Sequence, residues 1–124
     1  MKYFGEWKSY DDMVNELHRG EYDYETRNYK LAAIPDNFPI DDEILFAAYG
    51  TEPYEGDAVI VYEQSGKLYL MTGGHCSCYG LNESMGGPEE TDRAALGMMT
   101  LGSGCYYYDD EARKAFRTLF PKLP

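Results

Sequence analysis

The sequence predicts a single α+β domain: a small, mainly antiparallel sheet of three to four strands, packed by an N-terminal helix and two C-terminal helices. Two observations carry this. Three β-rich segments follow one another through the middle of the chain, and apolar side chains recur at helical spacing near both ends. A length of 124 residues suits one hydrophobic core, so residues 1–124 are read as one domain.

The elements follow in order. Ser9 can cap a first helix, with Asp12 three residues on as a weak capping box and Met13, Val14 and Leu17 on one face; Gly20 is its expected stop. Residues 21–42 hold Pro35, Pro39 and many polar groups, and read mostly as loop with a short strand over Tyr29–Ile34. Glu43–Tyr49, Asp57–Glu63 and Lys67–Thr72 are rich in Val, Ile, Leu and Tyr, and Gln64-Ser65-Gly66 joins the last two tightly. Ala58-Val59-Ile60-Val61-Tyr62 is almost continuously apolar, as in a central strand covered on both faces. Thr91 is the expected cap of a helix through Ala94, Ala95, Leu96, Met98, Met99 and Leu101, with Gly102 as its stop. Asp109 or Asp110 starts the last helix, where Ala112, Ala115, Phe116, Leu119 and Phe120 form one stripe.

Charge narrows the range of partners. With 11 Lys+Arg against 22 Asp+Glu, the net charge of -11 disfavours direct contact with nucleic acid or anionic lipid. Residues 1–63 carry 15 acids and 5 bases, whereas residues 64–124 carry 7 and 6. The acidic half also holds 8 of the 13 tyrosines, interleaved with carboxylates at residues 21–25 and 51–57. No apolar run is long enough for a membrane span, and Met1–Tyr10 lacks the apolar core of a signal peptide, so a cytoplasmic address is expected.

The segment Gly73-Gly74-His75-Cys76-Ser77-Cys78-Tyr79-Gly80-Leu81 leaves the third predicted strand and combines an imidazole with two thiols. Three readings are open. Cys76, Cys78, Cys105 and either His75 or His18 would suffice for zinc by ligand count, although Cys-x-Cys is tighter than the usual ligand spacing, adjacent His75 and Cys76 point apart in extended chain, and no second paired motif is present. A cysteine nucleophile activated by His75, by His18 or by a nearby helix N-terminus would further need an oxyanion donor and a group orienting the imidazole, and the sequence identifies neither. In the third reading a glycine-rich turn simply buries small thiols; an odd count of three cysteines points to reduced thiols in place of a disulfide framework.

The strings Glu43-Ile44-Leu45-Phe46-Ala47, Tyr54-Glu55-Gly56-Asp57-Ala58, Gly66-Lys67-Leu68-Tyr69, His75-Cys76-Ser77-Cys78-Tyr79-Gly80-Leu81 and Pro88-Glu89-Glu90-Thr91 resemble a family of small acidic proteins of bacteriophages and prophages, over roughly residues 43–96. Where that family has a Glu after the Leu and then a Gln-Trp-Glu-Pro run, this chain has Asn82 and Ser84-Met85-Gly86-Gly87. The resemblance implies a viral or mobile-element origin and no particular reaction.

These readings converge on an expectation: a non-enzymatic, anti-CRISPR-like counter-defence protein of the host bacterial cytoplasm, monomer or homodimer, needing no cofactor. Its carboxylates would stand in for phosphates and occupy the basic, nucleic-acid-binding surface of a defence protein or ribonucleoprotein complex. The expected contact residues are Glu21, Tyr22, Asp23, Tyr24, Glu25, Asp41, Asp42, Glu43, Glu52, Tyr54, Glu55 and Asp57, with Asp11, Asp12 and Glu16 adding to the field. A thiol- or zinc-dependent enzyme, or metal-binding protein, centred on His75, Cys76 and Cys78 is one alternative; a structural or regulatory phage protein is another. Tyr106-Tyr107-Tyr108 is read as covering the final helix and a sheet edge, and Trp7 as a staple over the first helix.

Overall fold

A computed structural model of the chain describes residues 2–31, 34–52, 55–75, 85–99 and 110–122. In chain order the elements are β1 (Tyr3–Gly5), α1 (Tyr10–Leu17), β2 (Arg19–Asp23), β3 (Asn28–Leu31), a 3-10 turn at Asp41–Glu43, β4 (Ile44–Glu52), β5 (Glu55–Gln64), β6 (Lys67–His75), β7 (Glu89–Thr91), α2 (Arg93–Met98) and α3 (Asp110–Leu119). The class is α+β, as the sequence predicts.

The sheet has five strands in the order β1-β4-β5-β6-β7, not three to four. Both strands missed by sequence patterning lie at its edges and span three residues, too few to display an alternation. Pairing places them: Tyr3–Gly5 runs parallel to Ala47–Tyr49, and Glu89–Thr91 runs antiparallel to Leu68–Leu70. The β4–β5 and β5–β6 ladders are antiparallel. Gln64-Ser65-Gly66-Lys67 closes the second with φ of 54° at Ser65 and 78° at Gly66, the two left-handed residues of a type I′ hairpin turn.

The two faces of the sheet bury separate clusters. On one, Ala58, Ile60 and Tyr62 of β5 pack with Trp7, Met13, Leu17, Ile44, Tyr49 and Met71, so α1 covers this face. On the other, Val59 and Val61 pack with Phe4, Phe46, Leu96, Ala112, Phe116 and Phe120, so α2 and α3 cover that one. A bulge in β4 makes this division work. Ile44 pairs with Tyr62 and Phe46 with Val61, so two steps along β4 answer one along β5. Leu45 and Phe46 therefore both pack toward α3, where the Phe46 ring lies 5.3 Å from those of Phe4 and Phe116.

Several boundaries differ from expectation. Ser9 caps α1, accepting from the Asp12 N–H at 3.2 Å, but the Asp12 carboxylate turns back to the Lys8 N–H at 2.9 Å. The helix stops at His18, whose N–H bonds the Val14 carbonyl at 2.9 Å, and Gly20 lies inside β2. The chain enters the strand directly, so no left-handed glycine is needed. Residues 21–42 accordingly hold a β2–β3 hairpin where loop is expected, and β3 ends at Leu31, short of Ile34. Asp92, not Thr91, caps α2, accepting from the Ala95 N–H at 2.8 Å, because Thr91 is still paired in β7. Leu101, Gly102, Asp109 and Tyr106-Tyr107-Tyr108 lie outside the described residues. Along α3, Ala112, Phe116 and Phe120 are buried while Leu119 turns partly to solvent. Trp7 is 1% exposed beneath α1, the staple its position predicts.

Candidate interaction surface

The carboxylates of the N-terminal half become a surface feature because of how the chain is threaded. Residues 9–18 and 34–43 carry seven acids, namely Asp11, Asp12, Glu16, Asp36, Asp41, Asp42 and Glu43, and no Lys or Arg. Both stretches pack over the same face of the sheet: Tyr10 and Phe38 join the cluster under α1, and the Tyr10 hydroxyl donates to the Pro39 carbonyl at 2.7 Å. Asp11, Asp12, Asp36, Asp41 and Asp42 are exposed. Across the sheet, α2 and α3 carry Arg93, Arg113, Lys114 and Arg117 against Asp110 and Glu111. Negative charge is thus concentrated over one layer.

The segment 34–43 lacks strands yet is held from four directions. Lys2 donates to the Asp41 carbonyl and lies 3.2 Å from its carboxylate. Tyr3 on β1 donates to the same carboxylate at 2.5 Å. Tyr10 on α1 holds Pro39, and Gln64 on β5 donates to the Asn37 carbonyl at 3.1 Å and to Glu43 Oε1 at 3.2 Å. Inside the segment, Glu43 Oε1 also accepts from the Ile40 N–H at 3.0 Å, and the Glu43 N–H returns to the Ile40 carbonyl at 3.0 Å. Pro39 is fully buried, while Ile34 and Ile40 project into solvent. Anchored backbone with outward-facing side chains is pre-organised for contact.

The electrostatics agree with this geometry. Burial first, then the charges of Asp41, Glu43 and Asp11, raise the Tyr10 hydroxyl above its ordinary value, so acids from helix and loop act on one point. Burial and the bond to Asp41 likewise push Tyr3 well above the usual tyrosine range. The Tyr3 hydroxyl and the Lys2 ammonium hold Asp41 below the usual carboxylate range.

The predicted contact residues separate into groups. Asp42 is exposed on the segment 34–43. Asp41 and Glu43 are engaged within the chain and secure the segment. Asp23, Tyr24 and Glu25 sit at the β2–β3 turn, where Asp23 Oδ1 accepts the Glu25 N–H at 2.9 Å and Tyr24 is 86% exposed. Glu21 and Tyr22 lie on β2, and Glu52 and Glu55 pair at the β4–β5 end. Asp57 pairs with Gly50 and Gly74, and alternation along β5 puts it on the face of Val59 and Val61, opposite α1. Sequence reasoning missed Asp36, Ile34 and Ile40, whose prolines signal only a loop.

His75 ends β6, whereas Tyr54, Cys76, Cys78 and Cys105 lie outside the described residues. Among the described residues no group of three His, Cys, Asp or Glu side chains is placed to hold a metal ion, and no helix is long and apolar enough to cross a membrane. No protein-family model, curated protein or solved structure matches the chain.

Proposed function

We propose that this chain is a non-catalytic binding protein whose acidic layer, formed by α1 and the segment 34–43, docks on a basic, nucleic-acid-binding surface of another protein or ribonucleoprotein and excludes nucleic acid from it. The observation that supports this reading is the layering of charge: residues 9–18 and 34–43, which pack over one face of the sheet, carry seven acids and no Lys or Arg of their own, and Lys2, Tyr3, Tyr10 and Gln64 fix the second stretch. Fixed carboxylates repel one another, so holding them close is useful where cations will meet them. Tyr24 on the hairpin turn supplies large contact area at low entropic cost. The resemblance to small acidic phage proteins suggests the setting, counter-defence of the anti-CRISPR kind in a bacterial cytoplasm.

The test has two steps. The tagged protein is used to capture partners from bacterial lysate at about 0.1 M and about 1 M salt, where the screening length falls from about 10 Å to about 3 Å. A captured complex is then assayed for nucleic-acid binding with increasing protein. The reading requires salt-sensitive capture and displacement of nucleic acid. Capture that ignores salt, or a ternary complex in which nucleic acid stays bound, contradicts it.

A further inference from the structure

His18 is unlike the rest of the α1 surface. It closes the helix, and its ring meets Phe38 edge-on with centroids 4.7 Å apart. Its Nε2 is shielded from solvent and has no hydrogen-bond partner among the described residues. The ring lines a cavity of about 310 Å³ between α1, the segment 34–43 and the sheet. Around it α1 contributes Leu17, the segment contributes Asn37 and Phe38, β5 contributes Tyr62, β6 contributes Met71, and the approach to β7 contributes Met85. Tyr62 is the only other titratable side chain among the described residues lining this space. Burial raises its hydroxyl above the ordinary value, so it stays neutral throughout the acid range. Asp36 on the segment is exposed and Glu16 on α1 half-buried, and neither lines the cavity.

A neutral imidazole can keep its proton on Nδ1 and leave Nε2 bare, at modest cost. An imidazolium must place an N–H at Nε2, where no acceptor stands among the described residues, and a charge against Phe38, Leu17 and Met71. A cation at a helix C-terminus is favoured when it reaches the last carbonyls, but Nε2 reaches none. The charged ring is therefore accommodated only by leaving Phe38.

We propose that His18 is a proton-operated latch: its neutral ring, seated against Phe38, holds the segment 34–43 on α1, and protonation releases that segment. The direction of its titration agrees, since burial lowers His18 below the ordinary imidazole value of 6.5. A lowered folded-state value means that the released state binds the proton more tightly. Docking is then complete above 6.5 and weakens as pH falls toward the lowered value. Across that window the opening equilibrium rises up to about tenfold per pH unit, the limit for one proton. The latch belongs to the protein alone, so its test needs no partner, and its failure leaves the docking proposal standing.

The full chain is titrated by NMR from about pH 8 to about pH 5, the range of imidazole chemistry. The His18 ring signal is followed beside that of His75, together with hydrogen exchange at two amides of the segment, Phe38 N–H to Pro35 and Glu43 N–H to Ile40. After correction for intrinsic exchange, loss of protection at both amides should share a midpoint with His18, below 6.5. His18→Phe, which keeps an aromatic ring against Phe38, should abolish the acid-induced release. Should that variant fail to fold, Phe38→Leu loosens the same contact and should raise the His18 midpoint. The latch is overturned if His18 titrates at or above its ordinary value in the native chain, if both amides stay protected through its titration, if His18→Phe still releases the segment in acid, or if Phe38→Leu leaves the midpoint in place.

Discussion

Replacing Gly97 by alanine sets two effects of opposite sign against each other. In an exposed helix the change would stabilise by about 1 kcal/mol through helix propensity. Gly97 is instead buried near the end of α2, and a Cβ there would fall 2.6 Å from the Pro121 carbonyl oxygen, a backbone atom with no rotamer to escape into. The residues after α3 would have to move. Overpacking of this kind costs about 1–3 kcal/mol. The movement also strains Arg117, which donates to the carbonyls of Gly97 at 2.7 Å, Phe120 at 3.1 Å and Met99 at 2.5 Å and so ties α2 to the end of α3. Loosening one such charged hydrogen bond costs about 1.5–3 kcal/mol. The net expectation is a loss of about 1.5–5 kcal/mol, or about 6–19 °C in Tm for a chain of this size. Urea unfolding followed by the single, buried Trp7 reads it directly. Arg117→Met in the Gly97→Ala background should then cost less than in the native chain, because both changes act on one contact. A variant as stable as the native chain, or strictly additive costs, would refute the reasoning.

Three further predictions follow from the same packing. Ser65→Asn in the type I′ turn should stabilise by about 0.5 kcal/mol, because asparagine tolerates φ of 54° better than serine; a loss in thermal unfolding would contradict that turn assignment. Phe46→Ala should cost about 3–5 kcal/mol by denaturant titration, since Phe46 is fully buried between Phe4 and Phe116; less than half of that would mean the bulge does not place it there. Tyr3→Phe removes the leading cause of the lowered Asp41 titration. The carboxyl titration of Asp41, followed by NMR, should therefore move up toward 3.8. What Asp41 contributes is present above 3.8 and lost as pH falls through its lowered folded value, so the variant should show a smaller loss in that acid window. An unchanged Asp41 titration would argue against the bond.

Much of the fold was legible because long elements carry their own periodicity. The continuous apolar run at residues 58–62 correctly placed β5 at the centre of a sheet covered on both faces, and the Ala112, Phe116, Phe120 stripe correctly placed α3 against it. What stayed hidden depends on partners distant in sequence. Tyr3–Gly5 becomes a strand only beside Ala47–Tyr49, and the bulge at Leu45–Phe46 appears only once β4 is registered against β5. Gly20 has the residue type of a helix stop, yet the helix had already ended and the glycine serves a strand. The candidate site was half legible. Charge counts by chain half reveal an excess of acids. That they share a layer follows from threading: α1 and the segment 34–43 cover one face before the chain crosses to α2 and α3 on the other. Asp41 and Glu43 look like contact residues in sequence and prove to be anchors, because their partners Lys2, Tyr3 and Gln64 lie 21 to 39 positions away.

The central claim, docking through the α1 layer, is tested most directly by neutralising one layer at a time. In one variant Asp11, Asp36 and Asp42 become Asn; in the other Glu63, Glu89 and Glu111 become Gln, removing the same charge elsewhere. Affinity for a captured partner is measured for both by calorimetry at fixed salt. With each exposed pair worth about 0.2–1 kcal/mol, the first variant should bind about tenfold more weakly and the second within about twofold of the native chain. Equal losses in the two variants, or a loss confined to the second, would contradict the account.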